Sequence, residues 1–322
     1  MKRRHVGTTG LKVSRLGLGT LMWGTETEPR DAEAQLRAFA DAGGTLLDTA
    51  AGYGNGASES LIGEFLRSVI DRDDVVLATK AGISRPHGER VVDVSRGALL
   101  RSLDASLRRL GVEYVDLWQV HTWSEEVPLD ETLTAVDAAV KSGRARYVGI
   151  SNYSGWQTAM AATHQLATPG RERLASTQVE YSLVQRGIER EVAPAAEALG
   201  LGILPWSPLG RGVLTGKYRT GTPTGSRAAS PRFERYVGVH LNPRAAQIVE
   251  AVCRAADGLE LSPTEVALAW VRDQPGVTAP IVGARTVAQL EQSLSVEDVT
   301  LPEEILDALD DVSAPELGYP EV

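Results

Sequence analysis

Short apolar segments recur along the chain, and stretches with helical periodicity separate them. Eight such segments follow one another: LGLGT, TLLDTA, VVLATK, VDLWQV, RYVGIS, STQVEY, GILPWS and APIVG. Their length and continuous apolar character are typical of strands that are buried on both faces. Because strands and helices alternate without a linker, we predict a single domain, residues 1–322, built as one closed (β/α)8 TIM barrel.

Helical periodicity fills the intervals between these segments. The predicted helices span 30–42, 58–69, 95–110, 129–142, 155–166, 189–199, 244–256 and 263–273. Two of them have clear ends, since Gly111 closes a run of leucines and Ser262-Pro263 is a typical helix start. Before the first strand, RHVG-TTG-LKVS predicts a β-hairpin that turns at Gly10.

One long segment, 208–241, has no clear periodicity and is rich in glycine, serine, proline and arginine. Connections of this length are uncommon inside a compact domain and are usually functional or disordered. We therefore predict that segment 208–241 is a loop that closes over a ligand.

Composition narrows the functional class. The net charge is −9 and the pI is about 5.2, and the arginines are dispersed, so nucleic-acid binding is not expected. The single cysteine, Cys253, rules out an internal disulfide. The basic N-terminus is not followed by the apolar stretch of a signal peptide, and no apolar run reaches membrane-spanning length. These features predict a cytoplasmic protein that acts away from membranes.

Four polar residues lie at the ends of apolar segments or just beyond them. Asp48 follows TLL, Lys80 closes VVLATK, His121 follows VDLWQV, and Tyr53 lies five residues after Asp48. In a (β/α)8 barrel the carboxyl ends of the strands meet at one face, where catalytic groups lie. Each residue also has an ordinary alternative: a turn aspartate, a loop tyrosine, a solvated lysine or a core histidine. Their occurrence on three successive strand ends favours a joint site.

Together the four side chains have the chemistry of proton transfer at a carbonyl oxygen. A tyrosine has a pKa of about 10 and is a weak acid at neutral pH. A neighbouring ammonium lowers that pKa, and a carboxylate keeps the ammonium charged and oriented. We therefore expect Tyr53 to be a general acid tuned by Lys80 and Asp48. A neutral His121 would donate a hydrogen bond to the same oxygen.

The chain also carries a series of longer motifs in a fixed order: DTAAGYGNGASESLIGEFL, VVLATK, VDLWQVH, GISNY, STQVEYSL, WSPLGRGVLTGKY and IVGARTVAQLEQ. On these motifs it resembles the aldo-keto reductases over nearly its whole length, and most closely the bacterial branch that includes the potassium-channel β subunits. The resemblance implies a catalytic tetrad of Asp48, Tyr53, Lys80 and His121, with Tyr53 as proton donor. Channel β subunits have asparagine in place of His121, so the histidine favours a working reductase.

The resemblance further implies an extended NADP(H) site. Ser151, Asn152 and Gln178 match residues that hold the nicotinamide carboxamide, and Trp206 matches the aromatic residue that stacks on the nicotinamide ring. The expected phosphate and adenosine contacts are Ser207, Pro208, Leu209, Gly210, Arg211, Gly212, Lys217, Arg227, Gly283, Arg285 and Gln289.

Cofactor preference depends on the adenosine end of this site. Arg285 suits a 2′-phosphate and favours NADP over NAD. An ordinary helix-start arginine is the alternative. Gln292-Ser293 stand where the family often has Glu-Asn, so the contacts to adenine are expected to be weaker. Gly17-Leu-Gly19 lacks the third glycine of a Rossmann fingerprint, and no P-loop or metal-ligand spacing occurs, so we predict a metal-free site.

The predicted function is NADPH-dependent reduction of an aldehyde or ketone. Substrate contacts are expected from Trp23, Tyr53, His121 and Trp123, although each tryptophan has packing at the barrel rim as an alternative. Two other functions stay open: an NADP(H)-binding regulatory or redox-sensing module that docks a partner, and an alcohol or sugar dehydrogenase that works in reverse. The identity of the carbonyl substrate and the formation of a homo-oligomer are also open.

Overall fold

The eight predicted strand segments form a closed parallel barrel. The computed structural model of the chain describes residues 1–230, 233–315 and 318, and only the backbone of His87 and Arg227. The barrel strands, in the order of the chain, are β3 (Gly17–Gly19), β4 (Leu46–Asp48), β5 (Val76–Ala81), β8 (Val115–Val120), β9 (Ala145–Ser151), β10 (Leu174–Glu180), β11 (Gly202–Trp206) and β12 (Ile281–Val282).

Two short hairpins supply the other strands, β1 (Arg3–His5) with β2 (Lys12–Ser14) and β6 (Ile83–Ser84) with β7 (Val91–Val92). The barrel order is β10-β11-β12-β3-β4-β5-β8-β9, and neighbouring strands are parallel. The predicted TIM barrel is therefore confirmed, and its strands are almost entirely buried, as their apolar sequences require.

The predicted N-terminal hairpin covers the amino end of the barrel. Arg4 pairs with Val13 across β1 and β2, and Val6 and Val13 pack with the inward-facing Leu46, Leu117 and Leu204. The turn touches the connection between α6 and β11, since Thr8 N donates to Gly200 O at 2.9 Å. Because this end is closed, the carboxyl end of the strands is left for a ligand.

Helices surround the barrel and largely match the predicted ranges. They are α1 (Pro29–Asp41), α2 (Ala57–Ser68), α3 (Arg96–Leu110), α4 (Leu129–Lys141), α5 (Gly155–Ala167), α6 (Val192–Leu199), α7 (Glu234–Gly238), α8 (Pro243–Leu259), α9 (Pro263–Arg272), α10 (Val287–Leu294) and α11 (Glu303–Ser313). The two predicted ends are confirmed: Gly111 is left-handed after α3 with φ 68°, and Ser262 and Glu265 form a capping box before α9.

Two predictions need correction, and one hairpin was not predicted. Segment 208–241 is not a structureless loop, because it contains 3-10 turns at Gly210–Thr215 and Arg227–Ala229 together with α7. The helix predicted from residue 189 begins at Val192, after a separate 3-10 turn. Hairpin β6–β7 was not predicted, because its strands are only two residues long and carry too little periodicity to be recognised.

No helix among the described residues is long and apolar enough to cross a membrane.

Candidate active site

The four strand-end residues meet at the carboxyl end of the barrel. Asp48 is the last residue of β4, Lys80 is the second-last of β5, and His121 follows β8 directly. Tyr53 begins a 3-10 turn, Tyr53–Gly56, in the loop after β4. Because these strands are neighbours in the barrel, their ends bring the side chains together.

Lys80 and Asp48 form a buried ion pair. Lys80 Nζ lies 2.9 Å from Asp48 Oδ1, 2.7 Å from Asp48 Oδ2 and 2.9 Å from Thr49 O. Lys80 is 1% exposed and Asp48 is 2% exposed. Gln178 Nε2 also donates to Asp48 Oδ1 at 2.9 Å. These contacts hold the ammonium in one place, since a buried charge requires partners of this kind.

Tyr53 lies beside this ion pair, with its ring centroid 5.3 Å from Lys80 Nζ. Burial lowers the pKa of Lys80, but the charge of Asp48 and contact with Tyr53 raise it by more, so the amine stays protonated. Burial raises the pKa of Tyr53, and the charge of Lys80 lowers it by less, so that pKa lies above 10.0. The expected lowering by Lys80 is therefore present but outweighed, and Tyr53 holds its proton at neutral pH.

His121 is neutral, as expected. Its ring centroid lies 6.0 Å from that of Tyr53. Burial lowers the pKa of His121 to about 3, with smaller contributions from the charges of Lys80, Arg90 and Arg85. Its Nδ1 atom is buried and has no hydrogen-bond partner within the described chain. A neutral imidazole has one N–H donor, which suits hydrogen bonding to a carbonyl oxygen.

A cavity of about 300 Å³ extends from these residues across the carboxyl end of the barrel. Three of the tetrad face it (Asp48, Tyr53 and His121), while Lys80 lies beneath. Most residues predicted to bind cofactor also line it: Ser151, Asn152, Gln178, Trp206, Ser207, Pro208, Leu209, Arg211, Gly212, Lys217, Gly283, Arg285 and Gln289. Gly210 is buried behind this lining, and the side chain of Arg227 lies outside the described part of the chain.

The residues predicted to hold the nicotinamide are linked by hydrogen bonds. Trp206 Nε1 donates to Asn152 Oδ1 at 3.0 Å, and Asn152 Nδ2 donates to His121 O at 2.9 Å. Ser151 Oγ donates to Gln178 O at 2.9 Å. This chain of contacts joins the ends of β8, β9, β10 and β11, so one wall of the cavity is rigidly positioned beside the tetrad.

Backbone strain is concentrated around the cavity. Asn152, Ser207 and Arg211 are non-glycine residues with positive φ, at 59°, 52° and 58°. This conformation is unfavourable for most side chains and is often found at functional sites. All three residues line the cavity.

Segment 208–241 is held over the cavity by hydrogen bonds and ion pairs that were not predicted from the sequence. Arg211 makes two hydrogen bonds to the Glu180 carboxylate, at 2.7 and 2.5 Å, and one to Tyr236 O at 2.6 Å. His240 Nε2 lies 2.9 Å from the same carboxylate. Burial raises the pKa of Glu180, but the contacts with His240 and Arg211 lower it by more. The sequence did contain a signal for Glu180. This residue is the last of its strand, in the motif STQVEY, just as Asp48 is the last of β4.

Arg285 also holds the segment, since one guanidinium nitrogen donates to Gly225 O at 2.6 Å. Three nitrogens of Arg211 and one of Arg285 thus contact protein groups here. An arginine has five N–H donors, so both retain some for another ligand. Gln292 and Ser293, where the sequence departs from the family pattern, line the cavity at this end.

The two predicted substrate-binding tryptophans differ in their surroundings. The prediction for Trp23 is wrong: its side chain is fully buried, packs against Phe65 and donates to Gln35 at 3.0 Å, and Leu21 and Met22 line the cavity instead. Trp123 is half-buried in edge contacts with Tyr153 and Trp156. It does not belong to the cavity lining, so its contact with substrate stays a prediction.

Comparison with known proteins identifies the family. A model of the aldo/keto reductase family matches residues 15–314. The chain belongs to the aldo/keto reductase family. It is 36% identical to an uncharacterized oxidoreductase, YrpG, of Bacillus subtilis (strain 168), over 97% of this chain and 96% of that protein. It is 32% identical to a probable voltage-gated potassium channel subunit beta of Oryza sativa subsp. japonica, over 97% and 96%.

A third relative carries the family name itself. The aldo-keto reductase YhdN of Bacillus subtilis (strain 168) is 32% identical over 94% of this chain and 91% of that protein. In this aldo/keto reductase the family match begins at Arg15, immediately after the hairpin that closes the amino end of the barrel. The matched region therefore contains the whole barrel and all residues of the cavity.

Proposed function

We propose that this aldo/keto reductase reduces an aldehyde or ketone with NADPH, using Tyr53 as the proton donor. The observation that carries the proposal is one continuous cavity whose lining includes Asp48, Tyr53 and His121 together with the cationic side chains Arg211, Lys217 and Arg285. NADPH, when bound, supplies the hydride that reduces the carbonyl carbon.

The charged lining of the cavity fits a dinucleotide with a pyrophosphate. Arg211, Lys217 and Arg285 are cationic, and the one carboxylate in the described lining, Asp48, is neutralised by Lys80. Cationic side chains therefore outnumber carboxylates in this lining, and Arg211 is also paired with Glu180, whereas the whole chain has a net charge of −9. Positive side chains are the usual partners of phosphate groups. The aromatic face of Trp206 and the amides beside it suit the flat nicotinamide ring and its carboxamide.

The tetrad performs the proton transfer in this proposal. His121 donates a hydrogen bond to the carbonyl oxygen and so orients it. As the oxygen becomes an alkoxide, the phenolic proton of Tyr53 moves to it and the product alcohol forms. The resulting phenolate is stabilised by the ammonium of Lys80, which Asp48 holds in position. The raised pKa of Tyr53 keeps this proton in place until the alkoxide, a much stronger base, develops.

Cofactor preference in the proposal depends on Arg285. It is half-buried at the end of the cavity away from Tyr53 and precedes α10. A 2′-phosphate at this place gains both the guanidinium charge and the amide groups at the start of the helix. We therefore propose NADP(H) as the natural cofactor.

The decisive test replaces Tyr53 with phenylalanine. Tyr53→Phe removes the proton but retains the ring, so we expect NADPH to quench protein fluorescence as before while turnover of a reactive aldehyde falls by about 10³-fold or more. Tyr147→Phe is the matched control, because Tyr147 lies in β9 beside the amino-terminal hairpin. Ordinary turnover by Tyr53→Phe would contradict the mechanism.

A second candidate function follows from the relatives. A rice relative is named as a probable channel subunit, so this chain is alternatively an NADP(H)-binding regulatory or redox-sensing module that docks a partner protein. That function predicts tight NADPH binding without turnover of any aldehyde or ketone. Oxidation of alcohols or sugars by the same site is the third candidate, and initial rates in both directions with one substrate pair separate it from reduction.

A further inference from the structure

Hairpin β6–β7 stands next to the proposed carbonyl site. The hairpin follows β5 and begins at Ile83, three residues after Lys80. A hydrogen bond from Asp93 N to Gly82 O, at 3.0 Å, joins the two ends of the hairpin at its base. A Cβ atom on Gly52, the residue before Tyr53, would lie 2.8 Å from Ile83 O. His121 N donates to Ala81 O at 2.8 Å. The base of the hairpin is therefore in contact with the segments that carry Tyr53 and His121.

The tip of this hairpin carries two arginines. Ile83 pairs with Val92 and Ser84 with Val91, so the next step of the same register sets Arg85 opposite Arg90. Both residues are exposed. Side chains at opposed positions of an antiparallel pair lie on the same face, and like charges there are destabilising. The arrangement is thus unfavourable for the free protein, unless an anion joins the two guanidinium groups.

No carboxylate in the described chain neutralises these two charges. Glu89 lies between them in sequence but is not within 4.0 Å of either guanidinium in an ion pair, and the Glu125 carboxylate on the neighbouring loop accepts from Trp123 at 2.7 Å. Other arginines around the barrel have acidic partners, as Arg72 does in Asp116 and Arg144 does in Asp104. The positive charge at the hairpin tip is therefore available to a ligand.

The charge at the tip also reaches the catalytic residues. Arg90 and Arg85 both contribute to the lowered pKa of His121, after burial and Lys80. Arg85 lies two residues beyond Ile83, which is about 7 Å of extended chain. The arginines are thus near enough for a small molecule whose carbonyl lies at Tyr53 and His121 to extend to the hairpin.

The position of the hairpin in the barrel separates it from the cofactor groove. It follows β5, whereas Arg285 follows β12, and β3 and β4 lie between these two strands in the barrel. Arg211 and Lys217 follow β11, which is farther away still. An anion at Arg85 and Arg90 is therefore on the far side of Tyr53 from the groove proposed for the cofactor phosphates.

We propose that Arg85 and Arg90 bind an anionic group of the substrate, so that the preferred substrates are aldehydes or ketones with a carboxylate or phosphate remote from the carbonyl. The guanidinium fork suits both groups, because it forms paired hydrogen bonds with their oxygens. This inference rests on carbonyl reduction as the proposed function and adds the substrate class.

The test compares charged and neutral forms of one aldehyde. For the carboxylate, the pair is 4-carboxybenzaldehyde and its neutral methyl ester. For the phosphate, the pair is 4-formylphenyl phosphate and the neutral 4-methoxybenzaldehyde. We expect the kcat/KM of the wild-type protein to be higher for the anionic aldehydes than for the neutral ones. In Arg85→Gln/Arg90→Gln, kcat/KM for the anionic aldehydes should fall by about tenfold because KM rises, whereas kcat/KM for the neutral aldehydes should not change. Added salt should reduce the preference in wild type alone. Which anion loses more shows whether carboxylate or phosphate is the better ligand.

The control variant is Arg173→Gln/Arg254→Gln, which removes two exposed arginines away from the cavity and should leave all four aldehydes unaffected. Equal kcat/KM for acid and ester in wild type would overturn the inference while leaving carbonyl reduction intact. A preference for the anions that survives in Arg85→Gln/Arg90→Gln would overturn the assignment to these residues. Absence of turnover with all four aldehydes in a protein that binds NADPH would instead reject the proposed function, and the inference with it.

Discussion

The buried pair of Lys80 and Asp48 allows stability and catalysis to be separated by mutation. Lys80→Met keeps the length of the side chain but removes the ammonium, and it leaves Asp48 as a buried carboxylate with Gln178 as its remaining donor. At 2.7 Å the ionic attraction is about 6 kcal/mol for an effective dielectric constant of about 20. Because the ammonium no longer has to be desolvated in the variant, we expect a net loss of about 3–5 kcal/mol.

This loss should be visible in thermal unfolding. The entropy of unfolding is about 2.1 cal/mol/K per residue, so 322 residues correspond to about 0.7 kcal/mol/K. Lys80→Met should therefore lower Tm by about 4–7 °C in scanning calorimetry of the cofactor-free protein. Under the proposed mechanism, reductase activity should be lost as well, because Tyr53 would lose the cation that stabilises its phenolate.

The double variant Asp48→Asn/Lys80→Met distinguishes an unpaired charge from a packing defect. It removes both charges at nearly constant volume, so Tm should recover to within about 2 °C of wild type, since well-packed neutral replacements of buried pairs are often tolerated. Activity should remain absent. The reasoning fails if Lys80→Met melts at the wild-type temperature, or if the double variant is as unstable as the single one.

Three further predictions concern segment 208–241, the preference for NADPH over NADH, and the pH dependence of stability. Glu180→Gln removes the charge that holds Arg211 and His240 and should speed NADPH release by about tenfold in stopped-flow fluorescence, whereas Glu250→Gln on the surface should not. Arg285→Ala should raise KM for NADPH by about tenfold or more with little change for NADH, and an equal effect on both would exclude a 2′-phosphate contact. Because the folded pKa of His121 lies below that of the unfolded chain, its contribution to stability is complete above pH 6.5 and is lost as the pH falls towards 3. Below about pH 6, protonation of this histidine should lower the free energy of unfolding by up to about 1.4 kcal/mol per pH unit. Calorimetry as a function of pH should show that this decrease is absent in His121→Asn.

Local pattern was sufficient to predict the barrel and the meeting of Asp48, Tyr53, Lys80 and His121 at one end of it. Each barrel strand is a short apolar run, and the parallel arrangement places the ends of consecutive strands together, so Asp48, Lys80 and His121 could be assigned to one site before any distance was known. The same rule would have selected Glu180, whose role was missed because its partners, Arg211 and His240, lie in a segment without periodicity.

Side-chain environment was harder to predict than position along the chain. Trp23 and Trp123 both follow barrel strands, yet Trp23 is enclosed by Phe65 and Gln35 while Trp123 lies in an aromatic cluster. The surroundings of each tryptophan are set by residues elsewhere in the chain, which are on α1 and α2 for Trp23 and at the start of α5 and just before it for Trp123. Hairpin β6–β7, which positions Arg85 and Arg90, is likewise too short to have a sequence signal.

The sequence by itself determined the architecture and the end of the barrel at which Asp48, Tyr53, Lys80 and His121 meet, because strand burial and strand-end polarity are local properties of a parallel barrel. Tertiary structure alone decided the electrostatics: the lowering of the pKa of Tyr53 by Lys80 is outweighed by burial, and the pKa of His121 is lowered to about 3. It also decided which cations are paired, since Arg211 is bound to Glu180, whereas Arg85 and Arg90 have no ion-pair partner among the described residues. Both outcomes depend on distances between segments that lie far apart in the chain and meet only when the barrel closes.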